Sequence, residues 1–103
     1  MKGIIYSEKE QGLWEGKAGS HAPVISIDGR KVSVETRHGM DEAHYIVRHT
    51  LVLQDGSLLG GKTFKPGDQA KSDYELPDGY KGKISATSFC NMHDLWLSEA
   101  IVS

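Results

Sequence analysis

The chain has 103 residues, 12 basic against 14 acidic side chains, a net charge of −2 and 38% hydrophobic residues. That length predicts one domain over residues 1–103 with enough apolar content for a core. The mild acidity and the lack of a basic run argue against nucleic acid as a partner, and no apolar stretch is long enough to span a membrane.

The segment from Met1 to Glu8 turns charged too early for a signal peptide. Cys90 is the one cysteine. It cannot form an internal disulfide, which fits a reducing, cytoplasmic setting. Gly3-Ile4-Ile5-Tyr6 reads as a short strand, and Gln11 to Ser20, rich in glycine and charge, as a loop whose Leu13 and Trp14 tuck under the core. Pro23–Asp28 and Lys31–Thr36 are β-branched runs around Asp28-Gly29, a hairpin signal. Arg37–Ala43 is a loop. His44–Leu53 is the longest strand candidate, with its odd positions (Tyr45, Val47, His49, Leu51, Leu53) the more apolar and therefore facing the core. Asp55-Gly56 marks a second hairpin before a glycine-interrupted strand, Ser57–Phe64. Lys65-Pro66-Gly67-Asp68 has the order of a type II turn. Ala70–Leu76, Lys83–Phe89 and Leu95–Val102 complete the set, with Cys90 in the loop between the last two. About seven short strands without helical periodicity predict an all-β protein, an immunoglobulin-like antiparallel β-sandwich.

The chemistry-bearing residues cluster at the ends of these strands. Cys90 and His93 lie three positions apart, where a thiolate and an imidazole can share one metal ion. His21 stands before Pro23, which forces Ala22 to be extended, and His38 and His44 bracket the Gly39–Ala43 loop. His49 is an odd number of residues from His44 on one strand, points to the opposite face and reads as a core or edge histidine. Four imidazoles and a thiolate are one donor too many for zinc. A blue copper site needs a methionine closely following its cysteine and histidine, and none follows His93. Iron accepts six ligands, so five donors would leave one position open.

In four motifs, taken in order, the chain resembles the superoxide reductases, the family of neelaredoxins and of the iron-binding domain of desulfoferrodoxins. They are Ser20-His21-Ala22-Pro23-Val24-Ile25; Arg37-His38-Gly39-Met40 through Ala43-His44-Tyr45-Ile46; Phe64-Lys65-Pro66-Gly67-Asp68; and Cys90-Asn91-Met92-His93-Asp94-Leu95-Trp96. The resemblance implies a mononuclear non-haem iron with His21, His38, His44 and His93 as equatorial ligands and Cys90 as the axial one. It implies one-electron reduction of superoxide to hydrogen peroxide, with a rubredoxin-like carrier as electron donor, and it leaves room for a homo-oligomer. The rubredoxin-like domain of some members is missing, because its cysteines are. Members commonly carry Glu-Lys before the first histidine, where this chain has Gly19 and Ser20. Lys17, with Glu15, is the nearest substitute in sequence, and Lys17, Lys65 and Arg37 are rim candidates for attracting an anion. The missing pair supports a rival reading, an iron-binding electron carrier or sensor of the same fold without efficient turnover.

Overall fold

A computed structural model describes residues 5–103. Eight strands form two sheets. A five-stranded sheet has the order β1-β8-β7-β4-β5 and a three-stranded sheet the order β2-β3-β6. The strands are β1 (Ile5–Ser7), β2 (Val24–Asp28), β3 (Lys31–Glu35), β4 (Ile46–Leu53), β5 (Leu58–Thr63), β6 (Lys71–Glu75), β7 (Gly82–Cys90) and β8 (Asp94–Val102). Neighbouring pairs are antiparallel except β1 with β8, which runs parallel, Tyr6 opposite Trp96. The eighth strand relative to the expected seven is β1. The part of its predicted span at Gly3-Ile4 lies outside the described residues.

The alternation of the sequence sets the core. Val32 and Val34 of β3 point inward from the small sheet, and Leu51, Ile84 and Ala86 meet them from the large one, with Leu76 closing the cluster. The two-residue loop after Asp28 brings Asp28 opposite Lys31. At Lys65–Asp68 the Asp68 amide donates to the Lys65 carbonyl at 3.0 Å, and Gly67 has φ 90°, the positive value a type II turn needs at its third position.

The expected odd-face rule for β4 holds only in part. His49 and Leu51 are buried, but so is Ile46, an even position. The register against β7 slips between Ile46 and Arg48. This extra residue turns Ile46 back onto the core face. The inward pairs are then Leu51 with Ala86, His49 with Ser88, and Ile46 with Cys90.

Three sequence expectations are corrected here. Cys90 is not in a loop: it is the last residue of β7, on the same inward face as Ile84, Ala86 and Ser88, and is fully buried. Gln11–Ser20 is not simply a loop either. It holds a single 3-10 turn, Gly12–Trp14, and α1, one helical turn at Ala18–His21. Gly12 has φ 52°, and a β-carbon there would come within 2.5 Å of the Tyr6 ring, so the turn is compatible only with glycine. Leu13 does not tuck under the core but is 79% exposed. No helix among the described residues is long and apolar enough to cross a membrane.

Candidate metal centre

Strand direction gathers the candidate donors at one pole. At that end β3 and β7 finish, and β2, β4 and β8 begin. His21 closes α1 just ahead of β2, the His38–His44 loop joins β3 to β4, and Cys90 and His93 flank the turn from β7 to β8. Their five donor atoms lie within 4.8 Å of one another.

The nitrogens form a chain of close neighbours. His21 Nε2 is 3.1 Å from His93 Nδ1, which is 3.0 Å from His44 Nε2, which is 3.1 Å from His38 Nε2. Cys90 Sγ lies 3.7 Å from His93 Nδ1 and 3.9 Å from His38 Nε2. These two nitrogens are next-but-one neighbours in the chain. The sulfur is therefore nearly equidistant from opposite members of the set and belongs to none of its edges.

Tautomers follow from the hydrogen bonds. His21 Nδ1 lies 3.0 Å from the Lys17 carbonyl, and His38 Nδ1 contacts the Gly39 carbonyl. A carbonyl only accepts, so each Nδ1 carries the proton and each Nε2 presents a bare lone pair. The Ser20 hydroxyl donates to the same Lys17 carbonyl and lies 2.8 Å from His21 Nδ1, sharing its N–H. Burial holds His21 down to about 4, against the pull of the Lys17 carbonyl. Burial likewise lowers His38 and His93, and at His93 the charges of His44 and Lys17 add to it. All three imidazoles are thus neutral near pH 7, as metal ligands must be.

This donor set fits a cation. Lone pairs converge with no carboxylate or ammonium among them, and imidazole with thiolate selects a transition metal. Two nitrogens about 2.1 Å from one ion would be about 3.0 Å apart at a right angle and about 3.4 Å at the tetrahedral angle. The observed 3.0–3.1 Å spacings match the right angle.

The Cys90–Trp96 motif builds its own frame. The Asn91 side chain accepts from the Tyr45 amide at 3.0 Å and donates to the Ala43 carbonyl at 3.1 Å, so it fixes the loop carrying His44 against the turn carrying His93. The Trp96 indole N–H donates to the His93 carbonyl at 2.9 Å, and its buried ring lies 5.8 Å from that of His21. Asp94 has φ 66°, a left-handed conformation rare outside glycine. Its carboxylate accepts from the Trp14 indole N–H at 3.0 Å, while the Trp14 ring meets His93 edge-on with centroids 4.8 Å apart. The roles of Asn91, Trp14 and Ser20 were missed in the sequence. Asparagine beside a ligand was the available signal for the first, and nothing local marked Trp14. Cys90 itself packs with Ile46, Phe64, Ala70 and Met40.

Other candidates fall outside the group. His49 is fully buried, lies outside the group of converging donors and bonds to hydroxyls. Lys17, Lys65, Arg37 and Glu15 are exposed. Of these, the Lys17 charge is felt at His93.

A protein-family model described as desulfoferrodoxin matches residues 13–99. The chain belongs to the desulfoferrodoxin family. It is 33% identical over 94 residues to the desulfoferrodoxin of Nitratidesulfovibrio vulgaris (strain Hildenborough), an alignment spanning 88% of this chain and 71% of that protein. It is 33% identical over 86 residues to the desulfoferrodoxin of Syntrophotalea carbinolica, covering 77% of this chain and 61% of that one. Among solved structures, the superoxide reductase (neelaredoxin) of Ignicoccus hospitalis superposes with a TM-score of 0.80 at 26% identity, over 96% of this chain and 94% of that chain. A superoxide reductase crystallised in the oxidized state gives 0.76 at 27% identity, over 97% of both.

Proposed function

We propose that this protein is a superoxide reductase. It takes superoxide, one electron and two protons to hydrogen peroxide at a mononuclear non-haem iron held by His21, His38, His44, His93 and Cys90. The observation that carries this reading is the convergence of four imidazole nitrogens and one thiol sulfur within 4.8 Å, in a chain of the desulfoferrodoxin family. Bound iron supplies a ferrous/ferric couple for a small oxygen anion, and a rubredoxin-like carrier returns the electron.

The protein's own residues do the rest. The Lys17 and Gly39 carbonyls hold two imidazoles in the tautomer that offers Nε2. Cys90 lies on the inner side, shut off from water by Ile46, Phe64 and Ala70. His38, His44 and His93 are half-buried, so a diatomic anion and its protons reach the set from solvent. The positive charge of Lys17 acts on His93 and is proposed to draw the anion in. We take residues 1–103 as one iron-binding domain in a cytoplasmic setting, which suits the free Cys90.

Metal analysis and the visible spectrum of the oxidised protein, followed by reaction of the reduced protein with pulsed superoxide, test the reading. Iron, a thiolate-to-iron charge-transfer band and second-order consumption of superoxide are expected. The carrier or sensor reading is favoured by Gly19 and Ser20 standing where members of the family commonly carry Glu-Lys. It wins if the iron-loaded, coloured protein ignores superoxide.

A further inference from the structure

Beneath the donor set lies a buried polar network that the reaction itself does not use. His49, fully buried on β4, lies with its Nε2 2.7 Å from Thr36 Oγ1 and its Nδ1 2.9 Å from Ser72 Oγ. Thr36 Oγ1 donates to Ser88 Oγ at 2.9 Å, and the Tyr74 hydroxyl donates to Ser72 Oγ at 2.7 Å. The proton order can be worked out. Thr36 spends its one hydrogen on Ser88, so it must accept from His49, and Nε2 carries the imidazole proton. Nδ1 is then an acceptor, and Ser72 donates to it. The chain runs one way: Tyr74 to Ser72 to His49 to Thr36 to Ser88. It suits only a neutral imidazole, and burial, aided by the Lys62 charge, holds His49 near that state with a pKa of about 4.

The position of this network gives it a consequence. Thr36 directly follows β3 of the small sheet and stands two residues before His38. Ser88 lies on β7 of the large sheet, two residues before Cys90 and on the same inward face. His49 is the register partner of Ser88, and its ring packs edge-on against Phe64, with centroids 4.9 Å apart, in the cluster that also encloses Cys90. Three hydrogen bonds thus join the two sheets just below the point where one delivers His38 and the other Cys90. Apolar contacts would tolerate sliding there, whereas hydroxyl and imidazole bonds fix both distance and direction.

We infer that His49, through Thr36 and Ser88, is a positioning residue that sets the separation of Cys90 from His38, and hence how the thiolate meets the metal. The inference rests on the proposed metal centre. Groups hydrogen-bonded to a ligand change metal affinity by about 10–100-fold when removed, and a network one step behind the ligands acts at the lower end of that range.

Cobalt(II) titration, read by the thiolate-to-cobalt charge-transfer band, tests it without any turnover, alongside the band of the iron-loaded oxidised protein. Thr36→Val keeps the side-chain shape and cuts the bonds to His49 and Ser88. Ser88→Ala cuts the last link alone and serves if Thr36→Val does not fold. Ser72→Ala also opens the buried network, but at its bond to His49 and not at the Thr36–Ser88 bond. The expected result is a displaced band and roughly tenfold weaker cobalt binding for Thr36→Val and Ser88→Ala, with both properties unchanged in Ser72→Ala although its melting temperature falls. Unchanged bands in Thr36→Val and Ser88→Ala, or equal displacement in all three variants, would overturn the inference. A native protein giving no thiolate band with cobalt or iron would overturn the metal centre itself and this inference with it.

Discussion

His49 also makes a quantitative prediction about acid stability. Its folded-state pKa is lowered from 6.5 to about 4 by burial, with a contribution from Lys62. As pH falls from about 6.5 toward 4, the unfolded chain binds a proton that the native imidazole refuses, so the free energy of unfolding falls across that window. The contribution is complete above the unfolded value and lost on the acid side. At about 1.4 kcal/mol for each pH unit of the gap, it amounts to about 3 kcal/mol. That is a large share of the 5–15 kcal/mol typical of a small domain. The assay is urea denaturation of chelator-treated protein between pH 7 and about pH 4.5, comparing the native sequence with His49→Gln. The comparison cancels the other histidines, and chelation removes the pH dependence of metal binding. The stability advantage of the native protein over His49→Gln should shrink steadily as the solution is acidified. If the two stability profiles run parallel, His49 is not the buried neutral base described above.

Three further outcomes are expected. Cys90→Ser should abolish the charge-transfer band and the superoxide reaction. Because Cys90 is buried among apolar side chains rather than exposed in a loop, it should also cost about 1–3 kcal/mol in the metal-free protein by burying a hydroxyl where a less polar thiol stood, as urea denaturation will show. Lys17→Ala should lower the second-order rate with superoxide and flatten its dependence on ionic strength. No change, together with a faster Ser20→Lys variant, would remove Lys17 from the rim. Stripping the metal should lower the melting temperature by calorimetry, since a ligand at a hundred times its Kd adds about 2.7 kcal/mol.

Much of this was legible in the chain. The strands announced themselves through alternation, as in Lys31–Thr36 and Lys83–Phe89, and through Asp-Gly and Pro-Gly turns. The five donors stood out because imidazole and thiol are scarce and each lies where a strand ends. The odd separation of His49 from His44 marks it as a core or edge histidine, and it is buried in the core. The assignment holds, though the slip at Ile46–Arg48 breaks the simple alternation used to reach it. A bulge depends on the partner strand and leaves no mark in one sequence. The same limit explains Cys90: alternation from Ile84 through Ser88 would have carried it inward, but the turn-like Asn91 hid the end of the strand. The network of His49, Thr36, Ser72 and Ser88 joins residues up to 52 positions apart, and Trp14 reaches Asp94 across 80. Only the folded chain brings such pairs together.

The segment ahead of the first histidine has a bearing on how metal leaves. It braces two of the five donors, through the Lys17 carbonyl on His21 and Trp14 against His93, yet among its described residues the strand content is β1, three residues long. Short elements at the edge of a sheet open at lower cost than the core strands. Exchange of the bound ion should therefore follow the breathing of this strap and not global unfolding. The signature is a metal-release rate raised by Trp14→Ala far more than by Ile84→Val, although Ile84 lies deep in the core. The lifetime of the centre would then be set by the least stable part of the molecule.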